Sequence, residues 1–477
     1  MSVLARPMVV SLSRLLPPAR WVGPAGVAVI AGGFAVLWVA FGPEGSGWAS
    51  FLGQLAGAEA ILLMAVALVL ISVLPLIEVW FDGIDKTAVW HRRLAVTGML
   101  LLIPHILFSQ GHHESGASPP ANAMTGHQGG GVGGPLAQIG VWGLAALSVW
   151  AVQPRWRAML GWLPARTVTA VRAAGSSVTG RRLAAALRLV FGGYERWRAM
   201  HRLTGLFLAA AFVHGLLDAT VLGTPALRWT YLVAGGTGLA FYLYRETVAR
   251  YLLPLHDYQV STVTAVGPGI TELALSPVGR PLRFVPGQFA MLFLEGRHGW
   301  RRHPFTISGA PADDVLRFTI KALGDDTEAM QSLVVPGMPA IVGGPHGRFN
   351  HSRGTARQIW IAGGIGVTPF LSWLRSLDEH RLHAHVDFYY SATGAAPYAH
   401  EIGEITEGHG NVRVHLHDSS TGRYLGADVL AALTGANPRE VSVFLCGPAP
   451  MVNTFARRFR RAGVLPRHIH REHFDWR

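Results

Sequence analysis

The sequence predicts a multi-domain membrane protein: a six-helix transmembrane bundle, then an antiparallel β-barrel, then an α/β Rossmann-like nucleotide-binding domain. Three observations predict it. The chain of 477 residues is 50% hydrophobic with a mean hydropathy of +0.30, too apolar for an ordinary soluble enzyme, and the excess fills the first 250 residues. The connections between apolar stretches alternate sharply in positive charge. Beyond Tyr251 the texture changes to short alternating runs, and from Gly354 to strand, Gly-rich turn, helix, strand.

The spans fall at about 21–41, 52–77, 90–109, 135–152, 201–221 and 229–247, each near the ~20 residues a helix needs to cross. Residues 1–20 carry Arg6, Arg14 and Arg20. The apolar run after Trp21 is long enough to span, so no cleavable signal peptide is expected. The loop 78–93 holds Lys86, Arg92 and Arg93, and 153–200 holds nine arginines. The alternate loops 42–51 and 110–134 hold no Lys or Arg, and only Arg228 lies at the edge of the third. The positive-inside rule then puts both termini in the cytoplasm. The moderately apolar run 183–195, with Arg188 at its centre, reads as an interfacial helix. The net charge of +13 is mostly arginine clustered beside spans, so topology accounts for it and no nucleic-acid partner is expected. Arginine richness fits a bacterial inner membrane. Cys446 is the single cysteine, which excludes a disulfide framework and a cysteine-ligated iron–sulfur cluster. The boundaries are 1–20 for the cytoplasmic segment, 21–250 for the bundle, 253–352 for the barrel and 354–477 for the nucleotide domain.

Four histidines carry the chemistry of the bundle. His91 and His105 lie 14 residues apart in one apolar stretch, and His201 and His214 lie 13 apart in another. Ionisable residues in spans are costly and are functional candidates by default. Imidazole is a good axial ligand for haem iron. At ~1.5 Å per residue, 14 positions separate two rings by roughly 21 Å along a helix, a gap suited to electron hopping between two stacked haems. A 14-residue step returns to within roughly 40° of one face, whereas a 13-residue step misses by about 140°. The second segment therefore needs a π-bulge, bend or tilt. A buried histidine can also simply hydrogen-bond a neighbour; two spaced pairs make that the weaker reading. The glycine-rich loop 110–134 reads as a solvated loop, and its His112, His113, Glu114, Met124 and His127 could also collect a soft or borderline metal ion.

The alternating runs after Tyr251 are TVTAVGPGITELALSP, PLRFVPGQFAMLFLE and VLRFTIKAL, expected strands of a small barrel. Arg302-His303-Pro304-Phe305-Thr306-Ile307-Ser308 follows Pro286-Gly287-Gln288-Phe289. A flavin needs a flat apolar face for its ring and hydroxyl and backbone donors for its polar atoms, which Phe305, Thr306 and Ser308 can supply. Lys321, Gly324 and Thr327 lie in IKALGDDT, where a helix start can hold flavin phosphates. In the last domain Gly363, Gly364, Gly366, Thr368 and Pro369 follow the strand IWIA and open a helix, a place for a pyrophosphate. Cys446-Gly447-Pro448 ends a later strand, where a nicotinamide can lie, and Glu472, Phe474 and Trp476 can reach back toward the flavin.

On these residues the soluble half resembles the ferredoxin-NADP reductase superfamily. Its His-Pro-Phe-Thr motif, in place of the common Arg-x-Tyr-Ser/Thr, resembles the NADPH oxidase and ferric reductase branch. The paired histidines resemble the ferric-reductase-like transmembrane domain of that branch, and the resemblance runs from about residue 50 to the end. It implies an FAD-binding barrel holding FAD through His303, Pro304, Phe305, Thr306, Ser308, Lys321, Gly324 and Thr327. It implies an NAD(P)-binding domain holding the nucleotide through the Gly-rich turn, Ser391 and Cys446–Pro448, with Phe474 over the flavin. It also implies two b-type haems, His91 with His201 on the inner one and His105 with His214 on the outer. Where relatives often carry an arginine after the second nucleotide-domain strand, this chain has Ser391-Ala392-Thr393-Gly394. Arg423 is the candidate substitute, and the expectation leans to NADPH over NADH. No calcium-binding EF-hand loop is present.

The resemblance implies a path from cytoplasmic NAD(P)H through FAD and two haems to an extracytoplasmic acceptor, with no acid–base residue needed for the haem steps. The acceptor expected first is a ferric chelate or other metal ion. The alternatives are dioxygen, giving a superoxide-producing NADPH oxidase, and a periplasmic protein partner served by an electron-transfer subunit. A haem-free anchor holding a flavin reductase is the plainest alternative.

Overall fold

The computed structural model describes residues 21–43, 47–72, 74–109, 132–152, 194–217, 222–249, 254–296, 299–379, 382–421 and 425–472. They form two compact units, a helical one of Ala19–Ile77 with Thr87–Arg250, and a second containing Tyr251–Arg477 with the short segment Glu78–Lys86.

The long helices of the first unit are α1 (Val22–Phe41), α2 (Trp48–Leu70), α4 (Ile84–Ser109), α5 (Gly133–Val152), α7 (Thr204–Leu217) and α8 (Pro225–Tyr244), with short α3 (Pro75–Phe81) and α6 (Tyr194–His201) between them. Among the described residues, three helical stretches are long and apolar enough to cross a membrane: Val22–Phe41, Trp48–Leu70 and Arg196–Leu217. The sequence pattern leads to six spans; length and composition support these three. The central member is α2, whose most apolar stretch is 67% buried, against 17% for each of the others. It packs against α1, α7 and α8. Val29, Val36, Val39, Leu107 and Trp142 are large apolar side chains exposed on the surface of this unit.

Two expected spans change shape. The stretch 52–77 is not continuous, because α2 ends at Leu70 and a separate helix starts at Pro75. Proline disfavours helix in the residue before it and donates no backbone bond. The stretch 201–221 is interrupted directly after His201, where Arg202 and Leu203 form a turn. The 13-residue spacing of His201 and His214 asks for such a bend. Thr204 Oγ1 donates to the His201 carbonyl at 2.6 Å, and Tyr242 Oη donates to the Arg202 carbonyl at 2.8 Å, so the turn's carbonyls are satisfied. After α8, Arg245–Ala249 forms a π-helical turn. The run 183–193 and the loop 110–131 lie outside the described residues.

The second unit begins with six antiparallel strands: β1 (Leu255–Gly267), β2 (Ile270–Pro277), β3 (Phe289–Gly296), β4 (Gly299–Thr306), β5 (Leu316–Lys321) and β6 (Pro339–His346). Their order is β4-β3-β6-β1-β2-β5, and an antiparallel bridge from Ile307 to Phe318 links the two outer strands. Period-two alternation sends Leu273, Leu275, Leu292, Leu294, Phe318 and Ile320 into one core. The helix α9 (Asp325–Leu333) follows β5.

Five parallel strands complete the unit: β7 (Arg357–Gly363), β8 (His385–Ala392), β9 (Val412–Asp418), β10 (Val441–Cys446) and β11 (Ile469–Arg471), in the order β11-β10-β7-β8-β9. The chain builds outward from β7 through β8 to β9, then returns to the other side of β7. The order therefore reverses between β7 and β10, and the crevice at their carboxyl ends is where such sheets bind ligands. Helices α10 (Thr368–Arg375), α11 (Ala399–Glu407), α12 (Ala427–Ala431) and α13 (Ala449–Arg461) connect the strands. The strands β7 and β10 read as continuous apolar runs because helices cover both faces of a parallel sheet.

Candidate functional site

At the end of β4 the Thr306 hydroxyl is buried and has no hydrogen-bond partner among the described residues. An orphaned buried hydroxyl costs about 1–3 kcal/mol unless a partner arrives, so it fits a ligand's polar edge. His303 is buried and its ring stacks on Phe305 with centroids 5.9 Å apart. Pro304 lies between them. The antiparallel bridge at Ile307 and Phe318 puts the start of this motif and Lys321, the end of β5, at the same end of the barrel. Gly324 and Thr327 follow there at the start of α9. Thr327 Oγ1 accepts from the N–H groups of Leu323 and Gly324 at 2.9 and 3.1 Å, so its hydroxyl orders the helix start. The other N–H groups of that first turn are the ones suited to a phosphate.

Ser308 stands apart from Thr306. Its hydroxyl pairs with Thr319 Oγ1 at 3.0 Å, Thr319 with Tyr398 Oη at 2.8 Å, and Tyr398 donates to Glu272 Oε2 at 2.9 Å. The Ser308 carbonyl accepts from Arg375 Nη1 at 3.1 Å. Ser308 is thus engaged by the nucleotide-binding half of the unit.

The same helix, α10, touches both flavin motifs. Its Ser372 Oγ donates to the Gly309 carbonyl at 2.7 Å, and its Trp373 Nε1 to the Pro286 carbonyl at 3.1 Å. Gly287 has φ +90°, and a Cβ there would sit 2.1 Å from the Phe349 carbonyl and 2.4 Å from Trp373 Nε1. The glycine of Pro-Gly-Gln-Phe is therefore required by the approach of Trp373. Arg375 pairs with Glu401 at 2.6 and 3.0 Å and with Glu272 at 3.0 Å. Burial works against its charge, but Glu401 and Glu272 more than offset this and hold it above the usual arginine range. Sequence reasoning missed Glu272, Ser372, Trp373, Arg375 and Tyr398. Their partners lie 26 to 126 residues away, and no local pattern announces them.

The Gly-rich turn forms at the carboxyl end of β7. Gly364 has φ +53° and leads a 3₁₀ turn that runs into α10, with Thr368 Oγ1 donating to the Ile365 carbonyl at 3.1 Å and Pro369 in the first turn. A Cβ on Gly366 would lie 2.5 Å from the Cys446 carbonyl, so the turn closes directly on the end of β10. Gly363 and Ser391 are register partners, and Ala362 pairs with Cys446. The expected nucleotide residues thus meet along one edge of the sheet, with Gly447 and Pro448 opening α13. Cys446 is fully buried, and burial pushes its thiol up, with Glu472 adding to the shift. The Glu472 N–H donates to the Leu445 carbonyl at 3.3 Å. Its side chain is buried with Oε2 unpartnered among the described residues, and burial, then the Asp85 charge, raises its carboxyl well above the usual range. In the same unit Glu78 Oε1 accepts from the Gly347 N–H at 2.8 Å, and Asp82 pairs with Arg353 at 2.6 Å. Arg423, Phe474 and Trp476 lie outside the described residues.

In the helical unit the His91 and His201 ring centroids are 6.3 Å apart, with the planes at 84°. Metal–imidazole bonds of ~2 Å on facing rings would put the ring centres roughly 6 Å apart. His91 Nδ1 donates to the Ala67 carbonyl at 2.8 Å, and His105 Nδ1 to the Gly53 carbonyl at 3.0 Å. A carbonyl only accepts, so each Nδ1 carries the proton and Nε2 is the nitrogen with the lone pair. His201 is oriented differently: its ring stacks on Trp197 at 4.9 Å and 22°, and its Nδ1 is buried without a partner among the described residues. Gly57 gives His105 its place, since a Cβ there would lie 2.5 Å from His105 Nδ1. His214 lies in the last turn of α7. The His91 and His201 pair has a spacing that fits axial ligation of haem. Among the described residues no cluster of three or more His, Cys, Asp or Glu is arranged to hold a metal ion, and His112, His113 and His127 lie outside them.

A family model for an FAD-binding domain matches residues 255–368. The alkene monooxygenase system ferredoxin–NAD(+) reductase component of Xanthobacter autotrophicus is 27% identical over 220 residues, covering 44% of this chain and 67% of that protein. The propane 2-monooxygenase reductase component of Mycolicibacterium goodii is 31% identical over 236 residues, covering 45% and 66%. The Deinococcus radiodurans flavohemoprotein is 27% identical over 210 residues, covering 40% and 52%. The chain thus matches about two thirds or less of these relatives' lengths. Among solved structures, a flavohemoglobin from Malassezia yamatoensis aligns over 96% of this chain and 99% of its own at 16% identity and TM-score 0.46. The second unit carries an FAD-binding domain of the ferredoxin reductase and flavohemoprotein type with a nucleotide-binding domain, and the chain is an electron-transfer oxidoreductase using FAD and NAD(P)H.

This geometry makes three predictions. Thr306→Ala should weaken FAD binding by about tenfold, the loss of one good hydrogen bond, as read by titration of apoprotein with FAD. Gly287→Ala should lower stability by about 2–4 kcal/mol in thermal unfolding, because strain at positive φ adds to a clash with Trp373. Arg375→Met should slow flavin reduction by NAD(P)H about tenfold or more in stopped flow while nucleotide Kd hardly changes, because misplacement costs rate rather than binding.

Proposed function

We propose that this chain is a multi-pass membrane oxidoreductase of the ferric reductase and NADPH oxidase type. It takes electrons from cytoplasmic NAD(P)H by way of FAD and two b-type haems to an acceptor on the far side of the membrane, with ferric chelates or other metal ions as the acceptor class. The observation that carries the reading is the 6.3 Å spacing of the His91 and His201 rings in a chain that also has an FAD-binding domain. When bound, FAD converts a hydride's electron pair into single electrons and the haems carry them one at a time.

This chain's residues supply placement. The Thr306 hydroxyl and the start of α9 hold the flavin, with the His303–Phe305 stack beside them. The Gly363–Thr368 turn holds the pyrophosphate, and Cys446–Pro448 seats the nicotinamide. Ala67 and Gly53 aim His91 and His105, while Trp197 aims His201. His105 and His214 serve the outer haem by the family resemblance. Apolar helices keep water from the rings and lower the local dielectric. Arginine on alternate loops supports the cytoplasmic placement of both termini.

The relatives are named as reductase components of multi-component systems. That favours a second reading, in which the acceptor is a protein partner.

The test is NAD(P)H oxidation by the haem- and FAD-loaded protein with and without ferric chelate, anaerobically and in air, while haem reduction is followed. Turnover that needs ferric chelate and yields little superoxide is the expected result. Stoichiometric superoxide would overturn the metal acceptor in favour of dioxygen. Haems that reduce and stay reduced with either acceptor would favour the protein partner. A reduced-minus-oxidised spectrum lacking b-type bands would sink the haem assignment. His91→Ala and His201→Ala should each remove the same haem, lowering the haem-to-protein ratio by about half.

A further inference from the structure

We propose that the nucleotide site selects NADH over NADPH, and that Asp418 makes the choice at the 2′ position of the adenosine ribose. The inference rests on the reductase reading above. It reverses the preference expected from sequence.

The register of the parallel sheet lays out the argument. Cys446 pairs with Ala362, Gly363 with Ser391, and Ala392 with Asp418. The carboxyl ends of β10, β7, β8 and β9 therefore form one edge. A dinucleotide lies along such an edge, with its pyrophosphate at the switch point. Neighbouring strands are ~4.8 Å apart, so Asp418 lies two strands, about 10 Å, from the strand that feeds the Gly-rich turn. That is within reach of the adenosine half of a dinucleotide whose pyrophosphate sits on the turn.

Asp418 is fixed and charged. Its Oδ1 accepts from the N–H of Ser420 at 2.8 Å and of Gly394 at 2.9 Å. The bonds from Ser420 and then Gly394 hold its carboxyl below the usual range, so it is anionic at neutral pH. Both of these bonds fall on Oδ1, and the side chain is exposed at the strand end, so Oδ2 faces outward. A ribose 2′-hydroxyl can donate to that oxygen, as acidic residues do in NAD sites. A 2′-phosphate would bring about −1.5 to −2 charges against it. The His417 charge adds a smaller favourable effect on the carboxylate, and Arg423 lies outside the described residues. Thr393 Oγ1 and Ser419 Oγ pair at 3.1 Å, and Ser419 also donates to the Ala392 carbonyl at 3.0 Å. Neither Ser391–Gly394 nor His417–Thr421 contains a Lys or Arg.

The test uses the full-length FAD-loaded protein and two readouts. Stopped-flow bleaching of the flavin should be at least about tenfold more efficient with NADH than with NADPH. Calorimetry should show 5′-AMP binding more tightly than 2′,5′-ADP, with no flavin chemistry involved. Asp418→Asn keeps an oxygen for Gly394 and Ser420 while removing the charge. It should narrow both preferences about fivefold or more, through nucleotide affinity rather than the limiting bleaching rate. Equal or better use of NADPH by the parent protein overturns the inference, as does an Asp418→Asn ratio equal to the parent's. Failure of both nucleotides to bleach the flavin overturns the reductase reading itself and is distinguishable from either.

Discussion

The reductase unit depends on one short helix. The segment Thr368–Arg375 begins at the Gly-rich turn after β7 and ends at an arginine held by two carboxylates. Between those ends it donates to the carbonyls of Pro286, Ser308 and Gly309, which flank the two flavin motifs. An eight-residue helix is stiff on the scale of a hydride transfer. Fixing three of its donors to the flavin barrel therefore fixes the distance from the nucleotide turn to the flavin strand. Arg375 can be this deeply placed because its charge is paired twice. Without Glu272 and Glu401 it would be an uncompensated buried cation, among the costlier defects a fold can carry.

The sequence pattern made the architecture legible because long apolar helices show as runs of characteristic length and the parallel sheet as strand–turn–helix units. Apolar length and alternating arginine located the helices, and the strand–turn–helix pattern located the nucleotide edge. The 13-residue step between His201 and His214 required a bend, and the helix breaks at Arg202 and Leu203. Other features were illegible for physical reasons. Pro75 splits the second apolar stretch, although hydropathy alone reads through it. Ser308 alternates with Thr306 on the strand as a flavin donor would, yet its hydroxyl is drawn into a chain ending at Glu272. That chain joins residues up to 126 positions apart, and pairing at such range is a property of the fold.

The histidines show the same division between what spacing reveals and what packing decides. Spacing nominates four residues. Packing determines which ring nitrogen carries the proton. Ala67 and Gly53 present carbonyls to His91 and His105, and a carbonyl can only accept, so the tautomer follows. Gly57 has to lack a side chain for His105 to stand against α2. His201 has no such carbonyl and leans on the Trp197 ring instead. Its orientation is therefore held by a stacked contact rather than by a directional bond, and it is the softer member of the pair.

Charge along the nucleotide edge completes the picture. At the β10 end, burial raises both the Cys446 thiol and the Glu472 carboxyl above their usual ranges, which favours their neutral forms. At the β9 end, Asp418 is held anionic by backbone donors. On the reductase reading, the nicotinamide rests at the neutral end and the ribose at the negative one. Losing a hydride makes the nicotinamide ring cationic. Specificity is placed where a fixed charge can act on the ribose without touching the reacting ring. The two ends of one sheet edge can therefore be tuned separately, because roughly three strand spacings, about 14 Å, lie between them.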